Sequence, residues 1–223
     1  MIKMVVFDMA GTTVDENNVV YKTLRQAINE KGYDFTLEQV LAEGAGKEKL
    51  QAVKSILGAY ANETDDAVAN EIFSRFLELL EVAYNTLDVQ PQPNANELFK
   101  ALKERDILVV LNTGYNRETA EKLVQKLGWE IGADIDELVT ATDVQKNRPN
   151  PDMIWYAMKE FRITDAAEVI KVGDSIIDIE EGQNAGCKYS VGITTGAHTY
   201  EQLQTAKPDY IINNLMELLP IIG

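Results

Sequence analysis

Six short apolar runs, most of them separated by stretches with helical periodicity, constrain this chain more than any other feature. The runs cover residues 4–7, 107–111, 138–139, 169–172, 189–193 and 210–212, and they are short and partly β-branched, as strands are. Helical patterns at 119–127, 153–161 and 179–184 alternate with them. Runs that are apolar throughout suit strands buried on both faces. Their alternation with helices predicts an α/β fold, a Rossmann-like parallel sheet flanked by helices.

Residues 18–87 break the alternation. They carry helical periodicity and no convincing strand, most clearly in the single apolar face of Ile72, Phe73, Phe76, Leu77, Leu80, Ala83, Tyr84 and Leu87, spaced by threes and fours. The expected organisation is a core of residues 1–17 and 88–223 with an inserted α-helical cap at 18–87. Residues 15–18 and the Pro-containing segment 89–94 would be its hinges. Periodicity leaves a monomer and a homodimer equally open.

Composition narrows the partners. With 223 residues, 45% of them hydrophobic, there is material for a large core and a smaller lobe. A formal net charge of -15 argues against sequence-independent binding to nucleic acid or to an anionic membrane, both of which are driven by surface Lys and Arg. No run approaches the roughly eighteen apolar residues of a membrane span, so neither a signal peptide nor an anchor is expected. The lone Cys187 allows no intrachain disulfide and fits a reducing, cytoplasmic setting. The lone His198 weakens any His-based triad.

The chemistry-bearing residues fall at or near strand ends. Asp8 follows the first run, Asn112-Thr113-Gly114 the second, Arg148-Pro149 lies in a loop, and Gly173-Asp174-Ser175 with Asp178 follows the fourth. Ligands in open α/β sheets collect beyond the carboxyl ends of strands. Each signal has an ordinary alternative: Asp174 and Asp178 as turn and helix-start residues, Arg148 as a solvated loop charge, Thr113 as a helix N-cap. Together and in this order, they resemble motifs I to IV of the haloacid dehalogenase superfamily, whose helical cap is inserted between motifs I and II.

That resemblance implies an aspartate nucleophile, Asp8, and a Mg2+ cofactor. A carboxylate attacks phosphorus only once the phosphoryl oxygens are neutralised, and Mg2+ does this in a shell of hard oxygens with one or two carboxylates. Asp8 and Asp174 would supply them. The backbone carbonyl of Ala10 would complete the protein share, and Asp178 would act through water or orient the others. The Thr113 hydroxyl and the N–H groups around Gly114 suit a phosphoryl oxygen, and Arg148 supplies a permanent planar cation for the same group.

The residue two after Asp8 is Ala10, where phosphatases of this superfamily place a second aspartate as general acid and base. The run Asp8-Met9-Ala10-Gly11-Thr12 and an arginine at motif III resemble the phosphonoacetaldehyde hydrolases, or phosphonatases, as does Thr113-Gly114-Tyr115. The resemblance implies a cap lysine that forms a Schiff base with the substrate carbonyl, turning a poor carbanion leaving group into an enamine. Lys49, three residues after Gly46, matches it, with Lys47 and Lys54 as competitors. Phosphonatases place methionine and histidine where this chain has Ala45 and Ala52, and generally tryptophan where it has Met9.

The expected activity is Mg2+-dependent cleavage of the C–P bond in a small-molecule 2-oxoalkyl phosphonate such as phosphonoacetaldehyde. The alternatives are a phosphomonoester phosphatase or phosphomutase without a Schiff base and, below it, a non-catalytic phosphate-binding domain.

Overall fold

A computed structural model describes residues 1–86 and 89–223. Leu87, the last residue of the predicted apolar face, and the predicted cap boundary at 87/88 lie outside them.

The elements run β1 (Met4–Asp8), β2 (Val14–Asp15), α1 (Val19–Asn29), α2 (Leu37–Gly44), α3 (Lys49–Ala61), α4 (Asp66–Thr86), β3 (Gln90–Pro91), α5 (Ala95–Lys103), β4 (Leu108–Thr113), α6 (Arg117–Lys126), β5 (Glu137–Thr140), α7 (Asp152–Glu160), β6 (Val169–Gly173), α8 (Ile176–Ala185), β7 (Tyr189–Ile193), α9 (Tyr200–Thr205), β8 (Tyr210–Ile212) and α10 (Leu218–Ile222). Six strands form one parallel sheet in the order β5-β4-β1-β6-β7-β8, flanked by helices. The chain builds outward from β1 to β4 and β5, then returns to add β6, β7 and β8 on the other side. The connections therefore reverse between β1 and β6, which opens a crevice at the carboxyl ends of those strands.

Strand periodicity divides the core. Val5 and Phe7 of β1 pack with Leu98, Phe99 and Leu102 of α5 and with Leu218 of α10. Met4 and Val6 face the opposite layer, with Met153, Ile154 and Ala157 of α7. All six predicted strands are present, but β4 runs on through Asn112 and Thr113, polar residues whose ladder pairing hydropathy cannot report.

Between β2 and β3 lie only helices among the described residues. In this lobe α1 packs on α4 and α2, and α3 on α2 and α4. Val20, Leu24, Ala27 and Ile28 of α1 and Ile72, Phe76, Leu80 and Tyr84 of α4 form its buried faces. The two segments read as hinges are tied to each other: β2 and β3 pair antiparallel, Val14 with Pro91 and Asp15 with Gln90. Gln92 N–H also donates to the Thr13 carbonyl at 2.9 Å. Proline is tolerated at such a sheet edge, where its missing N–H costs no ladder bond.

Candidate active site

Register brings the strand-end residues together. Asp8 sits opposite Asn112 across the β1/β4 ladder, and Phe7 sits opposite Val172 of β6, so Asp174 emerges just past β6 on the far side of the crevice. Asp8, Asp174 and Asp178 are all buried, and each offers a carboxylate oxygen within 4.8 Å of the others. A tight turn follows Asp8, in which the Met9 carbonyl accepts from the N–H groups of Thr12, Thr13 and Val14 and the Thr13 hydroxyl donates to the Asp8 carbonyl at 2.9 Å. Gly11 adopts φ +84° there, and a Cβ on it would lie 2.4 Å from Asp174 Oδ2. The turn thus seats directly on the second carboxylate.

Arg148 is the hub of the site. Its Nη1 lies 2.7 Å from Asp8 Oδ1 and 3.0 Å from Asp178 Oδ1, its Nε is 3.0 Å from Glu181 Oε2, and its Nη2 donates to the Asn112 carbonyl at 2.9 Å. The solvated-loop alternative is therefore excluded. A second cation that sequence reasoning passed over shares the same cluster. Lys171 of β6 is 3.1 Å from Asp178 Oδ1 and 3.1 Å from Glu181 Oε2, and it donates to Asn112 Oδ1. The available signal was a lysine inside the apolar strand Val169–Gly173.

The electrostatics favour a divalent cation. Four buried carboxylates (Asp8, Asp174, Asp178, Glu181) cluster with only two cations in ion-pair reach, Arg148 and Lys171. Burial pushes Asp8 up despite Arg148. Burial and then the carboxylates of Asp8 and Asp178 push Asp174 well above the usual range. Asp178 is also penalised by burial, but Arg148 and Lys171 outweigh this and hold it below that range. Asp174 thus has no cation beside it, and Asp8 shares its one partner, Arg148, with Asp178 and Glu181. Asp8, Asp174 and Asp178 together form an acidic triad of hard oxygens that could hold a metal ion.

Thr113 ends β4, and its hydroxyl accepts from Tyr115 N–H at 3.2 Å. It is not the helix cap, because Asn116 caps α6 by accepting from Thr119 N–H at 2.9 Å. Gly114 lies against the helical lobe: a Cβ there would meet the Lys47 carbonyl oxygen at 2.8 Å. Gly46 fits as closely from the lobe's side, since a Cβ on it would lie 2.2 Å from Ile177 and 2.5 Å from the Ser175 hydroxyl. The loop before α3 is therefore seated between the ends of β4 and β6.

Lys49 begins α3, whose first turn is capped by the Glu48 carboxylate accepting from Leu50 and Gln51 N–H. Its side chain is buried, with Nζ 5.2 Å from the Tyr21 ring centre, 5.1 Å from that of Tyr115 and 2.7 Å from the Lys47 carbonyl. Burial lowers its pKa to about 8, against the opposing pull of Asp8. Lys47 and Lys54 are not so placed: Lys54 forms a surface ion pair with Asp66 at 2.7 Å. Sequence reasoning also missed Glu16, buried between Tyr84 and Tyr115, because a single acidic residue in a connecting segment carries no periodic signal. His198 accepts from Ile176 N–H at 3.0 Å through Nδ1, which gives it a structural role at the start of α8.

The chain is 32% identical to a phosphonoacetaldehyde hydrolase of Parabacteroides distasonis over 88% of its own length and 78% of the relative's. Among solved structures it resembles a hydrolase from Pseudomonas syringae, with a TM-score of 0.86, 20% identity and coverage of 99% and 97% of the two chains. It also resembles a predicted phosphoglycolate phosphatase from Haemophilus somnus, with a TM-score of 0.80, 20% identity and coverage of 100% and 98%. At those identities the two structures speak for the fold alone. The model of the family described as haloacid dehalogenase-like hydrolase matches residues 5–191, a span that holds every strand-end residue described above, and the chain belongs to that family.

Proposed function

We propose that this hydrolase cleaves the C–P bond of a 2-oxoalkyl phosphonate such as phosphonoacetaldehyde, with Lys49 forming an imine to the carbonyl and Asp8 accepting the phosphoryl group. The observation that carries the reading is Lys49: a buried amine whose pKa is lowered to about 8 and which faces Asp8 from the helical lobe. A lysine that merely held a substrate anion would work best with its charge secured. One desolvated toward neutrality has a nucleophile's environment. Relatives named phosphonoacetaldehyde hydrolase support the same substrate class.

In this mechanism the Lys49 amine adds to the carbonyl carbon and the oxygen leaves as water. The cationic imine then takes up the electron pair of the breaking C–P bond as the Asp8 carboxylate bonds to phosphorus. No acid is needed on the leaving group, because an enamine rather than an alkoxide departs, and this fits Ala10. Arg148, the Thr113 hydroxyl and the N–H groups near Gly114 would hold the phosphoryl oxygens. Mg2+, held by Asp8, the Ala10 carbonyl and Asp174, with Asp178 behind them, would supply charge neutralisation when bound. Residues 18–87 would act as the cap, excluding water while the imine forms.

The test is phosphate release from phosphonoacetaldehyde with Mg2+, run beside Lys49→Ala and a panel of phosphate monoesters. The proposal expects phosphonate turnover that is lost in Lys49→Ala and a borohydride-reduced adduct on Lys49. Monoester turnover indifferent to Lys49 would instead establish a phosphatase.

A further inference from the structure

We propose that the buried carboxyl group of Glu16 is the proton-exchanging partner of Lys49, taking a proton from its ammonium and returning it to the oxygen that leaves as water. This rests on imine formation at Lys49 as proposed above. Glu16 is only 3% exposed and lies between β2 and α1. Its Oε2 accepts from the Tyr84 hydroxyl at 2.8 Å and its Oε1 from the Tyr115 hydroxyl at 3.2 Å. Tyr84 belongs to α4 in the helical lobe and Tyr115 follows β4 in the core, so the carboxyl group sits in the seam between them. The Tyr115 ring is also one of the two faces against which Lys49 Nζ rests, 5.1 Å from its centre. Tyr115 thus bonds the acid through its hydroxyl and carries the amine over its ring face, which sets the two groups beside one side chain, a separation one water bridges.

The two phenols donate to separate carboxyl oxygens and hold the group in place. What the carboxyl group adds is a transferable proton. The titratable groups facing Glu16 are Tyr84 from α4, Tyr115 after β4, Tyr21 from α1 and Lys49 from α3. Those facing Lys49 are Tyr21 from α1, Tyr115 after β4, Asp8, Arg148, Glu48 and Glu16. Burial holds the three tyrosines well above their ordinary range, so they stay protonated. Burial also raises Glu16 to about 7, opposed by the Tyr84 hydrogen bond, and lowers Lys49 to about 8. An acid and a base so nearly matched exchange a proton readily in either direction. Ala10 and Ala52, near the site, carry no ionisable side chain.

The protons balance. Lys49 ammonium gives one N–H proton to Glu16 through a bridging water, the amine attacks the carbonyl carbon, and the C=O π pair moves to oxygen. Glu16 returns that proton to the oxygen and passes on a second from nitrogen, so water leaves and a cationic imine remains. After C–P cleavage, the enamine carbon takes the proton released when water hydrolyses the aspartyl phosphate. A second water then hydrolyses the imine to the carbonyl product and Lys49 ammonium.

The experiment compares the wild type with Glu16→Gln, using phosphonoacetaldehyde and Mg2+ and measuring turnover and borohydride-trapped Lys49 adduct against pH. Wild-type turnover should peak between about 7 and about 8, because the pair must share one proton. Glu16→Gln should lose roughly 10²-fold or more in kcat with little change in KM, and the bell should give way to a single rise as Lys49 deprotonates. An unchanged bell and kcat would overturn the role of Glu16 while leaving the Lys49 reading intact. Absence of any wild-type adduct would remove both. Tyr84→Phe keeps the test decisive should Glu16→Gln fail to fold: it removes a hydrogen bond that holds Glu16 down, so the acid limb should move to higher pH. An unmoved limb counts against the proposal.

Discussion

Lys171 shows what one side chain can cost and supply. It is fully buried, with Asp178 and Glu181 as its ion partners. Lys171→Met keeps the volume and removes the charge, leaving two buried carboxylates dependent on Arg148 alone. Breaking a buried pair in this way costs about 3–5 kcal/mol, so urea denaturation should show a loss of that order. Asp8 is the opposite case. Burial raises its pKa despite Arg148, so the fold disfavours its ionised form. Asp8→Asn should therefore abolish phosphate release while leaving Tm unchanged or higher, by about 2–4 °C for each kcal/mol of strain relieved. A clear drop in Tm would show that its pairing with Arg148 outweighs the crowding.

Among the elements, the loop before α3 does most to define the site, because two glycines let it seat against the core. Gly114→Ala would put a methyl group 2.8 Å from a backbone oxygen of Lys47, which cannot rotate away. The loop must shift, and Lys49 two residues on must shift with it. A displacement near 1 Å costs about 10²-fold when geometry is critical, so kcat/KM should fall by that order with only a modest change in Tm. Steady-state kinetics beside a melting curve separates this outcome from misfolding. The helices and strands around the loop were legible in sequence because burial on one face imposes a period. The β2–β3 pairing was not, since two residues per strand carry no period and Pro91 reads as a break. Nor was the seating of Gly46 on Ser175, which depends on a contact between segments distant in sequence.

Over the whole molecule, charge is the organising quantity. A chain of net charge -15 concentrates four carboxylates against two cations at one crevice, and a cation bound there would stabilise the fold. Mg2+ at about a hundred times its dissociation constant should add about 2.7 kcal/mol, seen as a rise in Tm that EDTA reverses. Asp174→Asn should remove most of that rise, and its persistence there would place the ion elsewhere. No helix among the described residues is long and apolar enough to cross a membrane. What the sequence by itself determined was what short-range physics encodes: the alternation of strands and helices, the helical insertion after β1, and the polar residues waiting at strand ends. Only the tertiary structure decided which of these meet. Arg148 reaches Asp8 across 140 residues of chain, and Glu16 reaches Tyr115 across 99. Such contacts leave no periodic trace in a sequence because they are made by crossovers and register, which place residues side by side in space without ordering them along the chain.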